Sequence, residues 1–249
     1  MKRATAEAIS TADVLYPTND DMGEHEIQRL IAELLRPLLA RFLAAAYIRA
    51  HVGADQFIYW EEGNPLKRIA PDVYVLPGVD PDIVIPSWKT WETGVKPSFA
   101  LEVASGDVTK DYDDGPAAYA ELGVKELVVF DPHATPRSRR RRRFQVFRRI
   151  RNRGLVRVEV NQGDRVRSKV LGAWLVAVGS GDNVRLRLGL GPAGDELFPT
   201  EAEAERAAKE LALADNEQLR AEREQERAAR LAAEEENLRL RALLDKRRR

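Results

Sequence analysis

Residues 98–132, SFALEVASGDVTKDYDDGPAAYAELGVKELVVFDP, contain the pattern that decides the fold. The segment SFALEVAS is mainly apolar apart from one glutamate, which is typical of a strand buried in the middle of a sheet. The segment DYDDGPAAYAELG predicts a helix with Pro116 in its first turn and Gly123 directly after its end. The segment KELVVFDP predicts a second strand that stops at Asp131-Pro132. The stretch therefore predicts strand, helix and strand in succession.

The residues before this stretch predict one helix and several extended segments. From Glu24 onward, apolar residues recur at spacings of three and four, which predicts an amphipathic helix. Residues 46–53 and 55–62 predict two extended segments with a glycine turn between them. Residues 68–78, RIAPDVYVLPG, predict a strand. Residues 80–96 contain breaks at proline and predict a loop with at most one short turn.

The residues after this stretch predict an antiparallel β extension. Four segments, FQVFRRI, LVRVEV, KVLGAWLVAV and NVRLRLGL, are separated by turn residues and show partial alternation of apolar and polar side chains. GPAGDELFPT then predicts a loop. Together these patterns predict three regions: a mobile leader over 1–22, a folded domain over 23–199 and a charged tail over 200–249.

The tail predicts one long helix. It contains neither glycine nor proline, half of its 50 residues are charged, and Thr200 with Glu203 matches a capping box. Leu231 and Leu238 lie one heptad apart, but the preceding turns offer only alanine to a helix–helix seam. A dimeric coiled coil requires apolar positions sustained over several heptads. The pattern favours a solvated helix, and a coiled coil that makes a homodimer is the alternative.

Composition excludes several classes of protein. The chain has 249 residues and no cysteine, which excludes a disulfide framework, a thiolate zinc site and a cysteine nucleophile. Three histidines are too few for a histidine-rich metal site, so any metal would depend on carboxylates. No apolar stretch is long enough to span a bilayer, and the N-terminus lacks the apolar segment of a secretory signal. A soluble, cytoplasmic protein is the expectation.

The balanced charge of 40 basic and 40 acidic residues conceals an uneven distribution. Residues 1–136 carry 12 basic and 22 acidic side chains, whereas residues 137–199 carry 16 basic and 5 acidic ones. The basic block includes the run Arg139, Arg140, Arg141, Arg142, Arg143. Such a run requires negative charge beside it, which either the acidic part of the chain or nucleic-acid phosphates can provide. Only Phe144 and Phe147 are aromatic nearby, so the run predicts phosphate contact rather than base stacking.

Two acidic residues lie within predicted apolar strands. Asp72 follows Pro71 in the middle of one strand, and Glu102 lies between Leu101 and Val103 in another. A carboxylate in such a strand is costly to bury without a partner, a proton or a metal. Two acids on neighbouring strands repel each other unless a cation lies between them. Mg²⁺ needs only one or two carboxylates, with water and phosphate completing its shell. Ordinary salt bridges or backbone amides are the alternative.

The order of these segments resembles the Uma-two family of restriction-endonuclease-like proteins in the PD-(D/E)XK nuclease superfamily. The resemblance covers PDVYVL, FALEVAS, the stretch from Asp111 to Tyr119, and ELGVKELVVFDP. It implies an α/β (α+β) fold with a mixed central sheet flanked by helices. It also implies that Asp72 and Glu102 bind Mg²⁺ or Mn²⁺ and that the substrate is DNA.

The resemblance also implies a catalytic lysine, which the sequence lacks at both expected positions. These positions hold Ala104 and Gly115, and Lys110 is the nearest lysine in the sequence. Lys110 could orient the attacking water, although a solvated loop lysine is the simpler interpretation. On the first helix, the resemblance suggests His25 at the rim of the site. One of the glutamates of that helix could add a carboxylate; they are Glu24, Glu26 and Glu33.

Two hypotheses about function follow. The first is a metal-dependent endonuclease with its site at Asp72 and Glu102. The second is a nuclease fold that binds nucleic acid or a protein partner without cutting it, which the missing lysines favour. Tyr119 is interpreted as a packing residue with a polar tip. A structural adaptor that acts through its helical tail is a third, weaker possibility.

Overall fold

The computed structural model describes residues 19–105, 112 and 115–247, with side chains described over 26–105, at 112 and over 115–241. The chain divides into two compact units, Met1–Phe198 and Pro199–Arg249. In chain order the elements are α1 (Asn19–Ala45), β1 (Ala50–Gly53), β2 (Ile58–Tyr59), β3 (Arg68–Ile69), β4 (Val73–Pro77), β5 (Trp88–Lys89), α2 (Thr90–Thr93), β6 (Phe99–Val103), α3 (Gly115–Leu122), β7 (Glu126–Phe130), β8 (Phe144–Ile150), β9 (Gly154–Asn161), β10 (Arg165–Arg167), β11 (Trp174–Val178), β12 (Arg185–Leu190), β13 (Glu196–Leu197) and α4 (Glu201–Arg247).

A six-stranded mixed sheet forms the centre of the first unit. Its strand order is β1-β4-β6-β7-β8-β9, and β6 and β7 are parallel while the other neighbours are antiparallel. Parallel neighbours require a crossover connection, which contains α3 here. The strand–helix–strand prediction is therefore confirmed, and the fold class is the predicted mixed sheet with flanking helices.

Both faces of this sheet are covered. On one face, α1 packs its apolar stripe against the sheet and against a separate antiparallel sheet, β10-β11-β12-β13, which is the antiparallel extension. Two of the four segments predicted for this extension, FQVFRRI and LVRVEV, instead form β8 and β9 of the central sheet. On the other face, α3 and a small sheet of order β3-β2-β5 cover a second apolar cluster. The two clusters use alternate residues of the same strands, because successive side chains of a strand point to opposite faces.

Several element boundaries differ from the sequence predictions. Helix α1 begins at Asn19 rather than at Glu24, and the acidic residues that follow Asn19 suit the positive end of a helix dipole. Strand β5 and helix α2 lie inside the stretch predicted as loop, and β13 lies inside the second predicted loop. These elements are two to four residues long, too short for a periodic pattern, and each strand exists because a neighbouring strand pairs with it.

The second unit is the single helix α4, as predicted from the tail sequence. Its start has the predicted capping box: the backbone N–H of Glu203 donates to Thr200 Oγ1 at 3.3 Å, and the N–H of Thr200 donates to Glu203 Oε2 at 2.8 Å. Its side chains up to residue 241 are almost all exposed. Within the described chain, no helix is both long and apolar enough to cross a membrane. The cytoplasmic location stays a prediction.

Candidate active site

Strands β4 and β6 bring the two predicted acids together. Val73 pairs with Leu101, and one step further along the two strands the opposing residues are Asp72 and Glu102. Both acids alternate with side chains of the cluster under α3, so both lie on that face of the sheet. Asp72 lies just before the first residue of β4, not in the middle of the strand as predicted. The backbone pairing of β4 with β6 ends at Val73 and Leu101, and beyond it the side chain of Asp72 accepts a hydrogen bond from the backbone of β6.

That hydrogen bond and one from Tyr119 orient the two carboxylates. The backbone N–H of Val103 donates to Asp72 Oδ2 at 2.5 Å. The hydroxyl of Tyr119, on α3, donates to Glu102 Oε1. Tyr119 is fully buried, and burial, followed by the neighbouring carboxylates of Glu102 and Asp72, raises its pKa well above the ordinary value. Tyr119 therefore remains a hydrogen-bond donor at neutral pH.

The acids line a cavity of about 370 Å³ under α3. Its wall combines the acid pair with apolar side chains of β7 and with residues of α1, β3, the end of β6 and α3. These residues are Gln28, Ile69, Ala70, Val103, Ser105, Gly115, Pro116 and Tyr119. A cavity of this size accommodates a metal ion, its water shell and a phosphate group together. Both carboxylates are only partly buried, so ligands can reach them from solvent.

Gln28 is the cavity residue that the sequence analysis missed. Its amide nitrogen donates to the carbonyl oxygen of Val103 at 2.6 Å, which ties α1 to the end of β6. Its position in the sequence could have indicated this role, because Gln28 precedes Ala32 and Leu35 on the apolar stripe of α1, where a polar residue is unusual.

The donor set suits a hard divalent cation. Asp72 and Glu102 provide carboxylate oxygens, and Gln28 and Val103 line the same cavity. Among the described residues, no group of three or more His, Cys, Asp or Glu side chains could hold a metal. Two carboxylates are sufficient for Mg²⁺ or Mn²⁺, since water and substrate phosphate complete the coordination.

The expected lysine positions carry no charge. Ala104 is buried, and Gly115 lines the cavity at the start of α3. Lys110 lies outside the described residues.

Among the side chains of α1 that the structure describes, Glu26 and Glu33 do not line the cavity. Glu26 and Glu33 are exposed and both bind Arg29, at 2.8 Å and 2.5 Å. This pairing places Glu33 on the solvent face of the helix, away from the apolar stripe that carries Gln28. The side chains of Glu24 and His25 lie outside the described part of the chain. Gln28, and not Glu33, is therefore the described residue of α1 that lines the cavity.

The arginine run divides into two parts. Arg141 forms an ion pair with Asp131, which is fully buried, with its Nη1 at 3.1 Å from Oδ1. The guanidinium of Arg142 donates to backbone carbonyls of its own loop, and that of Arg143 donates to the carbonyl of Pro132 at 2.9 Å. Arg139 and Arg140 are exposed. The acidic part of the chain thus supplies the counter-charge for Arg141, and the exposed pair is what remains for contact with phosphates.

The Arg141–Asp131 pair also reaches the cavity. Arg141 Nη1 donates to the carbonyl oxygen of Ser105, which lines the cavity, at 3.3 Å. The hydroxyl of Tyr112 donates to Asp131 Oδ2 at 2.6 Å, and the backbone N–H of Arg142 donates to the same hydroxyl at 2.9 Å. The pair therefore fixes the chain on both sides of the segment between Ser105 and Tyr112.

Two acids lie over a cavity at the neighbouring ends of β4 and β6 in a mixed sheet with flanking helices, which is the arrangement that the resemblance to restriction-endonuclease-like proteins implies. Residues 15–179 match the Uma2 family, which is described as "Putative restriction endonuclease". The match spans 165 of the 249 residues, so the chain belongs to the Uma2 family and the resemblance inferred from the sequence is confirmed.

One solved structure to which the chain is similar is described as a "putative nuclease belonging to DUF820" from Anabaena variabilis ATCC 29413. It is 12% identical, the alignment covers 63% of this chain and 75% of that chain, and the TM-score is 0.39. No match was found among the curated proteins.

Proposed function

We propose that the chain is a metal-dependent endonuclease that hydrolyses DNA phosphodiester bonds in the cavity between β6 and α3. The observation that carries the proposal is the pairing of Asp72 with Glu102 over one cavity, in a chain of the Uma2 family. Under this proposal Asp72 and Glu102 bind Mg²⁺ or Mn²⁺. The bound ion would lower the pKa of a water molecule and stabilise the departing alkoxide.

The protein residues have separate tasks in this proposal. Val103 and Tyr119 hold the carboxylates in fixed orientations through hydrogen bonds. Gln28 fixes the carbonyl of Val103 and offers a neutral amide at the cavity wall. Lys110 is the candidate for a cation that orients the attacking water, as the sequence analysis proposed. Arg139 and Arg140 are the candidates for contacts with DNA phosphates, which position a substrate without reading its sequence.

A cleavage assay tests this proposal. Supercoiled plasmid and single-stranded DNA are incubated with the full-length protein in Mg²⁺, Mn²⁺ or chelator. The Asp72→Asn/Glu102→Gln protein is the test variant, because amides preserve the shape of the side chains but remove both charges. Glu33→Gln is the matched control, because it removes an exposed carboxylate of α1 outside the cavity. We expect cleavage by the wild type and by Glu33→Gln, in metal only. Equal cleavage by the double variant, or cleavage in chelator, would contradict the proposal.

A second candidate function is a nuclease fold that binds nucleic acid or a protein partner without cutting it. The observation in its favour is that Ala104 and Gly115 occupy both expected lysine positions. This function predicts DNA retention that depends on Arg139 and Arg140, with no cleavage in any metal. A dimer through α4 is compatible with either function, and sedimentation of the chain with and without residues 200–249 tests it.

A further inference from the structure

The small sheet β3-β2-β5 has two chemically different faces. Its inner face packs Ile58, Ile69 and Trp88 against the apolar cluster under α3. The side chains that alternate with these residues point the other way and are partly or fully exposed; they are Phe57, Tyr59, Arg68 and Lys89. We refer to these four as the aromatic–basic face. Of these four side chains only Tyr59 is partly buried, whereas Ile58 and Trp88 on the inner face are buried.

The two rings and one cation of this face contact one another, with the two rings tilted by 53°. The ring centroids of Phe57 and Tyr59 are 6.2 Å apart, and the guanidinium carbon of Arg68 lies 4.7 Å from the centroid of Phe57. Phe57 is 44% exposed although it is a large apolar side chain. Rings held at fixed positions in a sheet offer flat surfaces for stacking with little loss of conformational entropy on binding.

Strand register places a cation on each side of Tyr59. Tyr59 pairs with Arg68 across β3 and with Lys89 across β5. Neighbouring strands are about 4.8 Å apart, so the residues that carry the two cations, Arg68 and Lys89, lie one strand spacing on either side of Tyr59. An unpaired nucleotide presents the matching arrangement, since its base stacks on an aromatic ring and phosphates flank it on both sides. An apolar peptide would use the rings but would leave both cations without counter-charge.

Lys89 is available for such a contact. Its ion pair with Glu92 spans 2.9 Å, and both side chains are about half exposed. Exposed ion pairs contribute little free energy, so a phosphate can replace Glu92 at low cost.

We propose that the aromatic–basic face binds an unpaired segment of a nucleic-acid strand, with bases on Phe57 and Tyr59 and phosphates on Arg68 and Lys89. Ile69, the neighbour of Arg68 in β3, lines the cavity wall from the opposite face of the small sheet, so the face and the cavity lie on the two sides of one thin sheet. The inference deepens the proposed function by naming single-stranded nucleic acid as the substrate class, and it rests on that function only for the cutting step.

Binding measurements without metal test this inference separately from catalysis. A fluorescent 20-nucleotide oligothymidylate and a duplex of equal length are titrated with the full-length protein in chelator. We expect tighter binding of the single strand by the wild type. Phe57→Leu and Tyr59→Leu should each weaken single-strand binding about 5-fold or more, the usual effect of losing one stacked base. Tyr59→Phe should bind as the wild type does, since it retains the ring.

Charge variants and a matched control complete the test. Arg68→Gln and Lys89→Gln should each reduce the slope of log affinity against log salt by about 0.7, the value for one phosphate contact on a single strand. Leu66→Ala is the control, because it removes an 85%-exposed apolar side chain from the turn between β2 and β3 without removing a ring. It should bind as the wild type does.

Two results would overturn the inference. The first is unchanged single-strand binding by Phe57→Leu and Tyr59→Leu when both variants have wild-type melting temperatures. The second is an equal loss of duplex and single-strand binding, which would indicate charge contacts without stacking. The Asp72→Asn/Glu102→Gln protein should still bind the oligonucleotide in chelator, so a failure of cleavage and a failure of strand binding are distinguishable.

Discussion

At the scale of single residues, four acidic side chains at strand ends differ in what binds them. Glu126 and Asp131, at the two ends of β7, are fully buried and each pairs with an arginine. Asp72 and Glu102 are partly exposed, and the hydrogen bonds that orient them come from a backbone amide and a phenol. A guanidinium pairs with each of the first two acids in the core, whereas the second two are partly exposed and line a cavity. This difference separates structural carboxylates from candidate metal ligands.

Glu126 shows how a structural carboxylate is satisfied. Arg148 Nε donates to it at 2.6 Å, the hydroxyl of Ser168 donates to its other oxygen, and the backbone N–H of Lys169 adds a third bond at 3.1 Å. These partners come from β8 and from the turn between β10 and β11. One buried charge therefore ties the antiparallel extension to the central sheet.

Replacing Tyr119 by Phe should weaken metal binding without removing a ligand. The variant removes the hydrogen bond that orients Glu102 and leaves the ring in place. Partners of metal-ligating side chains typically contribute about 10- to 100-fold in affinity. Calorimetric titration with Mn²⁺ measures the change, with Glu33→Gln as the control. A variant that binds Mn²⁺ as the wild type does would show that Tyr119 only fills space.

Tyr74 should make stability fall at alkaline pH. Burial raises its pKa to about 12, against about 10 in the unfolded chain. Because the folded-state pKa is the higher one, the stabilisation is complete below pH 10 and is lost as the pH rises toward 12. Tyr74→Phe removes this group and its bond to Gln56. We expect its free energy of unfolding to fall less between pH 10 and pH 12 than that of the wild type, measured by urea titration. Parallel curves for the two proteins would contradict this.

At the scale of elements, the loop before β8 shows why a run of like charges is not a uniform surface. Arg139 and Arg140 are exposed, whereas the buried Asp131 at the end of β7 binds Arg141. Backbone carbonyls of the same loop accept hydrogen bonds from the guanidinium of Arg142. The run therefore both anchors the loop and presents a smaller basic surface than its five residues suggest.

Neutralising neighbouring arginines of this loop should have unequal effects on stability. Arg141→Gln leaves the Asp131 carboxylate buried without its cation, and breaking such a pair costs about 3 kcal/mol. Arg140→Gln, at an exposed position, should change the free energy of unfolding by no more than about 0.5 kcal/mol. Chemical denaturation of both variants measures the difference. Equal stability of the two proteins would show that Arg141 does not anchor the loop.

At the scale of the whole molecule, the proposed metal couples to stability through mass action. A ligand that binds only the folded state at 100 times its Kd stabilises the protein by about 2.7 kcal/mol. We expect Mg²⁺ to raise the melting temperature of the wild type and to leave that of Asp72→Asn/Glu102→Gln unchanged. Differential scanning calorimetry at several Mg²⁺ concentrations, with Na⁺ at matched ionic strength, measures this. A shift of equal size in both proteins would indicate non-specific ion binding.

The amino-acid sequence alone determined the central pattern of this protein. Period-two and apolar segments specify which strands are buried, and the helix signals at Gly123 and Thr200 act within one turn of chain, so local chemistry is sufficient for them. The family followed from several short motifs between Pro71 and Pro132, and each candidate metal ligand lies within one of these motifs. The tertiary structure decided everything that depends on neighbours distant in sequence. Gln28 reaches the cavity across 75 residues to Val103, and Arg141 rather than Arg140 finds Asp131. The aromatic–basic face exists only because β3 and β5, each two residues long, pair with β2. Such pairings are set by packing across the whole chain, which no local pattern encodes.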